Sequence, residues 1–171
     1  MREVVGGIFM WSRLSAPHGY DFNGFLVTLP EGNLVIDPVE PEAETLEAIA
    51  RQGAARILLT NRNHSRAANR LRATTGARTA IAPADAAHAR AQGTEIDDDL
   101  TPGERVGPFE VLDASGKSPG EVAFYWRERR LLIVGDSIIG WPAGACRLLP
   151  DEKLDDPARL RDSVRRLAAL D

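Results

Sequence analysis

The sequence predicts one α/β domain in which sheets and helices are layered. Two observations carry this. Strand-length apolar runs alternate with helical stretches over the first hundred residues. From Arg105 onward strands dominate, until an amphipathic helix closes the chain. The 171 residues show no internal repeat, low-complexity tract or linker, so residues 1–171 read as a single unit with a sizeable core.

Gly24–Leu29 and Leu34–Ile36 flank the turn signal Pro30-Glu31-Gly32-Asn33, which makes a hairpin. Neither run alternates, so both strands should be buried on two faces. Glu42–Gln52 carries Ala43, Leu46, Ile49 and Ala50 at helical spacing and stops at Gly53. Arg56–Thr60 is a compact buried strand. Ser65–Thr75 reads as a helix with Ala67, Ala68 and Leu71 inward and Gly76 as its stop. Arg78–Ala82 is a strand and Ala84–Gln92 a helix closed by Gly93. Val106–Leu112, Val122–Trp126 and Leu131–Val134 are strands, the last two joined through Glu128-Arg129-Arg130. Pro157–Leu170 is the clearest helix, with Asp156 as cap and Leu160, Val164, Leu167 and Ala168 as its stripe.

A net charge of −4 lacks the broad positive field of a nucleic-acid binder, despite the local cluster Arg62, Arg66, Arg70 and Arg72. The lone Cys146 excludes an intrachain disulfide and a Cys-rich zinc site. Val4–Met10 is too short for a membrane span and has the wrong flanks for a signal peptide, so the expected location is the cytoplasm.

Four motifs then stand in order. The strand Arg56–Thr60 runs into Asn61-Arg62-Asn63-His64-Ser65-Arg66. Ile36-Asp37 ends an earlier strand. Gly116-Lys117-Ser118-Pro119-Gly120 precedes a hairpin, and Gly135-Asp136 follows it. Over roughly Asn23 to Ile138 this resembles the metallo-β-lactamase superfamily. That family has H-x-H-x-D-H after the strand, a Gly-His-Ser/Thr-Pro-Gly loop, and Gly-Asp after the hairpin. The resemblance implies an αββα sandwich, α/β in class, whose last strand finds no match here: either the chain is shortened or the fold is completed otherwise. An absent strand would expose a sheet edge, favouring a homodimer or cover by the C-terminal helix.

The same resemblance places Asn61, Asn63 and Arg66 where the family has His, Ser65 where it has Asp, and Lys117 where it has a later His. Only Asp136, the metal-bridging Asp, is matched. Zinc takes imidazole, thiolate or carboxylate; an amide oxygen is a poor ligand, and arginine has no lone pair to offer. No ordinary two-zinc site is therefore expected, and no cofactor. Asp136, Lys117, Arg66, Asn61 and Asn63 are expected to form a salt-bridge and hydrogen-bond network instead.

Each candidate has a plainer reading. His64 stands at a variable position of the motif and would cap or pack at the following helix. His18 would lie on a loop, and His88 on a helix surface. Ser65 and Ser118 lack a neighbouring base and are inert. Cys146 is more simply a packing residue than a reactive thiol. Trp141 reads as lining the cleft after Gly135-Asp136, or as core. Arg66, if it points inward, could grip a carboxylate or phosphate.

Three functions follow. The first is a non-catalytic descendant of the hydrolase fold, a pseudoenzyme that binds a small anionic ligand through Asn61, Asn63, Ser65, Arg66, Lys117, Asp136 and Trp141. The second is a hydrolase with one divalent metal (zinc, manganese or iron) on Asp136 and His64, activating water. The third is a protein-interaction module with a filled cleft. Nucleic-acid and membrane partners are not expected.

Overall fold

The computed structural model describes residues 1–140, 142 and 144–170. They form two compact units. The first comprises Met1–Leu59, Asn63–Ala80 and Ala89–Asp98; the second comprises Thr60–Arg62, Ile81–His88 and Asp99–Asp171.

The first unit is built on a seven-stranded sheet whose spatial order is the order of the chain. Its strands are β1 (Arg2–Val5), β2 (Ile8–Ser15), β3 (Tyr20–Val27), β4 (Leu34–Ile36), β5 (Arg56–Leu59), β6 (Arg78–Ile81) and β7 (Asp98–Asp99). The first four pair antiparallel in succession. β4 and β5 run parallel, Leu34 opposite Arg56 and Ile36 opposite Leu58. Parallel neighbours need a crossover, and helix α1 (Ala43–Gln52) supplies it. Helix α2 (Ala68–Thr75) follows β5. Gly53 at φ 72° and Gly76 at φ 75° end the two helices, as their positions predict. Val35, Ile36, Ile57, Leu58 and Leu59 are inaccessible to solvent, so β4 and β5 are buried strands, as their unbroken apolar runs imply.

Three readings need correction here. Arg2–Ser15 is two strands, not merely a short apolar run; β2 gains its definition from eight cross-strand pairs with β3, which no local pattern announces. Helix α2 begins at Ala68 rather than Ser65, after a turn in which the Ala68 amide donates to the Ser65 carbonyl, so Ser65, Arg66 and Ala67 precede it. On α1, Thr45 and Ile49 face inward while Ala43 and Ala50 are exposed. Alanine buries too little surface to decide which way a helix turns.

The second unit holds a four-stranded antiparallel sheet in the order β11-β10-β9-β8. The strands are β8 (Arg105–Val106), β9 (Phe109–Asp113), β10 (Val122–Trp126) and β11 (Leu131–Ile133). The expected strand Val106–Leu112 is split because Gly107, at φ 57°, turns the chain between β8 and β9. Phe109 and Phe124 meet edge to face at 6.2 Å. Helix α3 (Pro83–Ala91) enters this unit through its first six residues. Helix α4 (Pro157–Ala168) starts as predicted, with Asp156 Oδ1 accepting the Arg159 amide at 2.9 Å. Its buried face is Leu160, Ser163 and Leu167, which keeps Leu160 and Leu167 of the expected stripe, while Ala168 is exposed and Val164 half-buried. Ser163 is admitted because its hydroxyl donates to the Ser115 carbonyl at 2.8 Å. Leu167 packs with Ala114 and Ala123, flanked by Leu112, Leu132 and Val134. Among the described residues no strand follows β11; Ile139 and Arg147 form a single bridge. No helix is long and apolar enough to cross a membrane among the described residues.

Candidate functional site

In the second unit, three loops converge on a buried carboxylate. Asp85 occupies the first turn of α3, where the helix dipole favours negative charge. It is fully buried. Its Oδ2 accepts the Arg62 amide at 2.9 Å and the Ser118 hydroxyl at 2.5 Å; its Oδ1 accepts the Gly120 amide at 3.0 Å. A Cβ on Gly120 would come within 2.8 Å of the Asp85 amide nitrogen, so only glycine fits beside it. The Arg62 guanidinium closes the circuit from outside, gripping both oxygens of Asp155 at 2.8 Å. Asp155 donates its own amide to the Lys117 carbonyl.

This clamp fixes the loop that carries Lys117. The Lys117 ammonium lies 3.1 Å from Asp136 Oδ2, the two side chains 13% and 21% exposed. Asp136 stands between Gly135 and Ser137, behind β11. A Cβ on Gly135 would sit 2.5 Å from Thr60 Oγ1 and 2.8 Å from Glu121 Oε1. The chain therefore passes close to Thr60 and Glu121. Thr60 accepts the Val122 amide through its carbonyl at 2.8 Å, and the buried Glu121 accepts the Ser137 amide at 2.8 Å. Asn61, beside Thr60, is fully buried.

In the first unit, His64 is buried and bonded through Nδ1 to Asp37 Oδ2 at 2.9 Å. A carboxylate only accepts, so Nδ1 carries the proton. Asp37 adopts φ 48° at the end of β4, an uncommon conformation for a residue with a side chain. Its amide donates to the Leu58 carbonyl. Asn63 and Arg66 are exposed, and Ser65 is half-buried. The Arg66 guanidinium stacks on the Phe22 ring, 4.0 Å from its centroid.

A family model described as the metallo-beta-lactamase superfamily matches residues 5–171. The chain belongs to the metallo-β-lactamase superfamily. Among curated relatives, the hydroxyacylglutathione hydrolase of Fuscovulum blasticum is 35% identical over 139 residues, covering 76% of this chain and 51% of that protein. The hydroxyacylglutathione hydrolase of Ectopseudomonas mendocina is 33% identical over 141 residues, covering 80% and 51%. The chain thus spans about half the length of the curated relatives it matches. Among solved structures, TTHA1623 in a di-iron-bound form is 30% identical, with a TM-score of 0.70 over 87% of this chain and 82% of that one. The metallo-β-lactamase from Pontibacter korlensis shares the fold at 17% identity, with a TM-score of 0.77 over 96% and 82%.

Within the superfamily's fold, one pair of the expected network is brought together. Lys117 meets Asp136, and Asn61 lies in the same unit. Asn63, His64, Ser65 and Arg66 belong to the first unit, where His64 joins Asp37 and Arg66 joins Phe22. His64 is therefore the partner of a buried acid, not a helix cap. His18 lies on the turn between β2 and β3, and His88 and Cys146 are exposed, so Cys146 is not the packing residue its type suggests. Trp141 lies outside the described residues. Sequence reasoning missed Asp85 and Glu121. An acid in the first turn of a helix reads as dipole compensation, and nothing local shows that Ser118 and Gly120 come to Asp85.

Among the described residues, no three His, Cys, Asp or Glu side chains gather as a metal-holding group. The positions that resemble the family's ligands offer two amides, a hydroxyl, a guanidinium and an ammonium beside one carboxylate.

Proposed function

We propose that this chain is a metallo-β-lactamase-superfamily domain that has exchanged its dinuclear metal site for internal cations and binds a small anionic ligand without zinc-dependent hydrolysis. The observation that carries this reading is the Lys117–Asp136 pair at 3.1 Å. Asp136 is the position resembling the metal-bridging Asp, and its charge is balanced by an ammonium. A divalent ion placed there would face that ammonium and would have to displace it. Asn61 and Asn63 offer neutral amides, and Arg66 offers no lone pair. The Arg66 guanidinium is exposed rather than inward and stacks on Phe22, and a planar guanidinium is a group that pairs with a carboxylate or phosphate.

Elemental analysis of protein purified without chelator tests the reading, followed by calorimetric titration with zinc, manganese and iron and, separately, with inorganic phosphate. The expected result is no stoichiometric metal and measurable phosphate binding. Stoichiometric metal at sub-micromolar affinity would overturn it.

That outcome would favour a second reading, a hydrolase with one divalent metal engaging Asp136 and His64. Two comparisons support it: the curated relatives are named hydroxyacylglutathione hydrolases, and a 30% identical protein was solved with two irons. The first reading is preferred because His64 is already bonded to Asp37 through one ring nitrogen and Asp136 to Lys117.

A further inference from the structure

Residues 154–156, between the turn Asp151–Lys153 and α4, lie against the loop that carries Lys117. Their hold on that loop is polar. The Asp156 amide donates to the Gly116 carbonyl at 2.8 Å, and the Asp155 amide donates to the Lys117 carbonyl at 3.4 Å. The second bond is long and adds little by itself. Asp155 and Asp156 are exposed and Leu154 is half-buried, so the segment sends no fully buried apolar side chain into the core. A cavity of about 370 Å³ opens beside it, lined by Gly116, Ser118 and Pro119 of the loop and by Asp155, Asp156 and Arg159. A connector with few buried apolar contacts and room beside it belongs to the low-stability part of a fold.

One interaction ties this segment down more firmly. The Arg62 guanidinium reaches both oxygens of Asp155 at 2.8 Å. Arg62 has a rigid base, because its amide donates to the buried Asp85 at 2.9 Å. The two side chains of the pair are 22% and 42% exposed, so dissolved salt reaches them. A pair of this kind weakens as ionic strength rises. What it closes over is the loop that aims Lys117 at Asp136, 3.1 Å away. When Asp155 lets go, the Lys117 carbonyl loses its donor, and the backbone that aims the ammonium is loosened.

We infer that residues 154–156 are a strap and that the Arg62–Asp155 pair is its latch. The strap is closed at low ionic strength, with Lys117 held on Asp136, and it lifts as salt screens the latch. The consequence for binding rests on the anion-binding reading: a ligand that meets Lys117 and Asp136 finds a site whose readiness is set by ionic strength.

The chain has two lysines, Lys117 and Lys153, and the exposed Lys153 serves as an internal reference. A brief pulse of acetic anhydride on the full chain, followed by mass spectrometry, gives the ratio of acetylation at Lys117 to that at Lys153. The ratio should rise about fivefold between low and high sodium chloride. Arg62→Gln should show the raised ratio already at low salt, with no further rise. Asp155→Asn, which leaves the bonds to Asp85 untouched, should behave the same way. The reciprocal variant Arg62→Asp/Asp155→Arg should restore the low ratio and its response to salt. Parent-like ratios at low salt in both single variants would overturn the latch. A salt response that persists undiminished in them would place it in the Lys117–Asp136 pair and would also overturn the latch. These readouts involve neither ligand nor metal, so their failure is distinct from failure of the anion-binding reading, which elemental analysis and phosphate titration decide.

Discussion

Lys117 and Asp136 lie 3.1 Å apart, ammonium to carboxylate, with both side chains largely withdrawn from water. Breaking a fully buried pair from one side costs roughly 3–5 kcal/mol, and partial exposure lowers that figure. Lys117→Met should destabilise the protein by about 2 kcal/mol, read from urea unfolding at neutral pH. The double variant Lys117→Met/Asp136→Asn should recover at least half of the loss. A Lys117→Met variant as stable as the parent would show that the pair does not compensate Asp136.

Asp85 is a fully buried carboxylate of the second unit, with two amides and a hydroxyl directed at it. Asp85→Ala would strand all three donors, at roughly 1–3 kcal/mol for each buried group left without a partner. The expected total is about 4 kcal/mol. Gly120→Ala should cost about 2 kcal/mol by overpacking, because its methyl group meets the Asp85 backbone. Equal unfolding midpoints for Gly120→Ala and the parent would contradict the close approach.

His64 and Asp37 offer a sharper contrast. His64→Leu leaves the Asp37 carboxylate buried without its imidazole partner, whereas His64→Asn can still donate one hydrogen bond. The leucine variant should lose about 3 kcal/mol and the asparagine variant about half of that. Nitrogen-15 NMR of the parent imidazole at neutral pH should report a protonated Nδ1. An Nε2-only tautomer would contradict the bond to Asp37.

Acid should weaken the first unit through Asp97 and Asp98. The Arg72 guanidinium and then the Thr79 amide hold Asp97 below the usual carboxylate range, and Arg78 does the same for Asp98. Asp113, in the second unit, is also lowered. Burial pushes it up, but the Ser115 hydroxyl and amide, with Arg159 and Arg166, outweigh that push. A lowered carboxylate contributes stability that is complete above the unfolded value of about 3.9 and disappears as pH falls through the lower folded value. Urea midpoints should therefore be flat from pH 7 to about 5 and fall steeply below pH 4. Arg72→Leu should lower the plateau and shallow the acid limb. An acid limb as steep as the parent's would exclude Asp97 as a contributor.

The parts of this fold legible in the sequence are those written in local chemistry. Gly53, Gly76 and the Asp156-Pro157 pair mark helix ends because their backbone and capping preferences act within a few residues. β4 and β5 show as unbroken apolar runs. β2 does not, because Trp11 is buried while Ser12, Arg13 and Leu14 are exposed, and only pairing with β3 makes it a strand. The Lys117–Asp136 pair could be expected because the motif positions carry opposite charges. The Asp85 clamp could not, since its donors arrive from Arg62, 23 residues away, and from Ser118 and Gly120, 33 and 35 away.

Gly116, at φ 139°, presses so closely on α4 that a side chain there would overlap the Leu160 backbone. Its carbonyl accepts the Asp156 amide, and the Lys117 carbonyl accepts the Asp155 amide. The loop and the start of the last helix therefore cannot open one at a time without leaving a void or an orphaned amide. Their protection against hydrogen exchange should rise and fall together, as one cooperative segment. A protease that releases α4 would also set Lys117 adrift, so the last helix acts as the keystone of the loop that holds the cation.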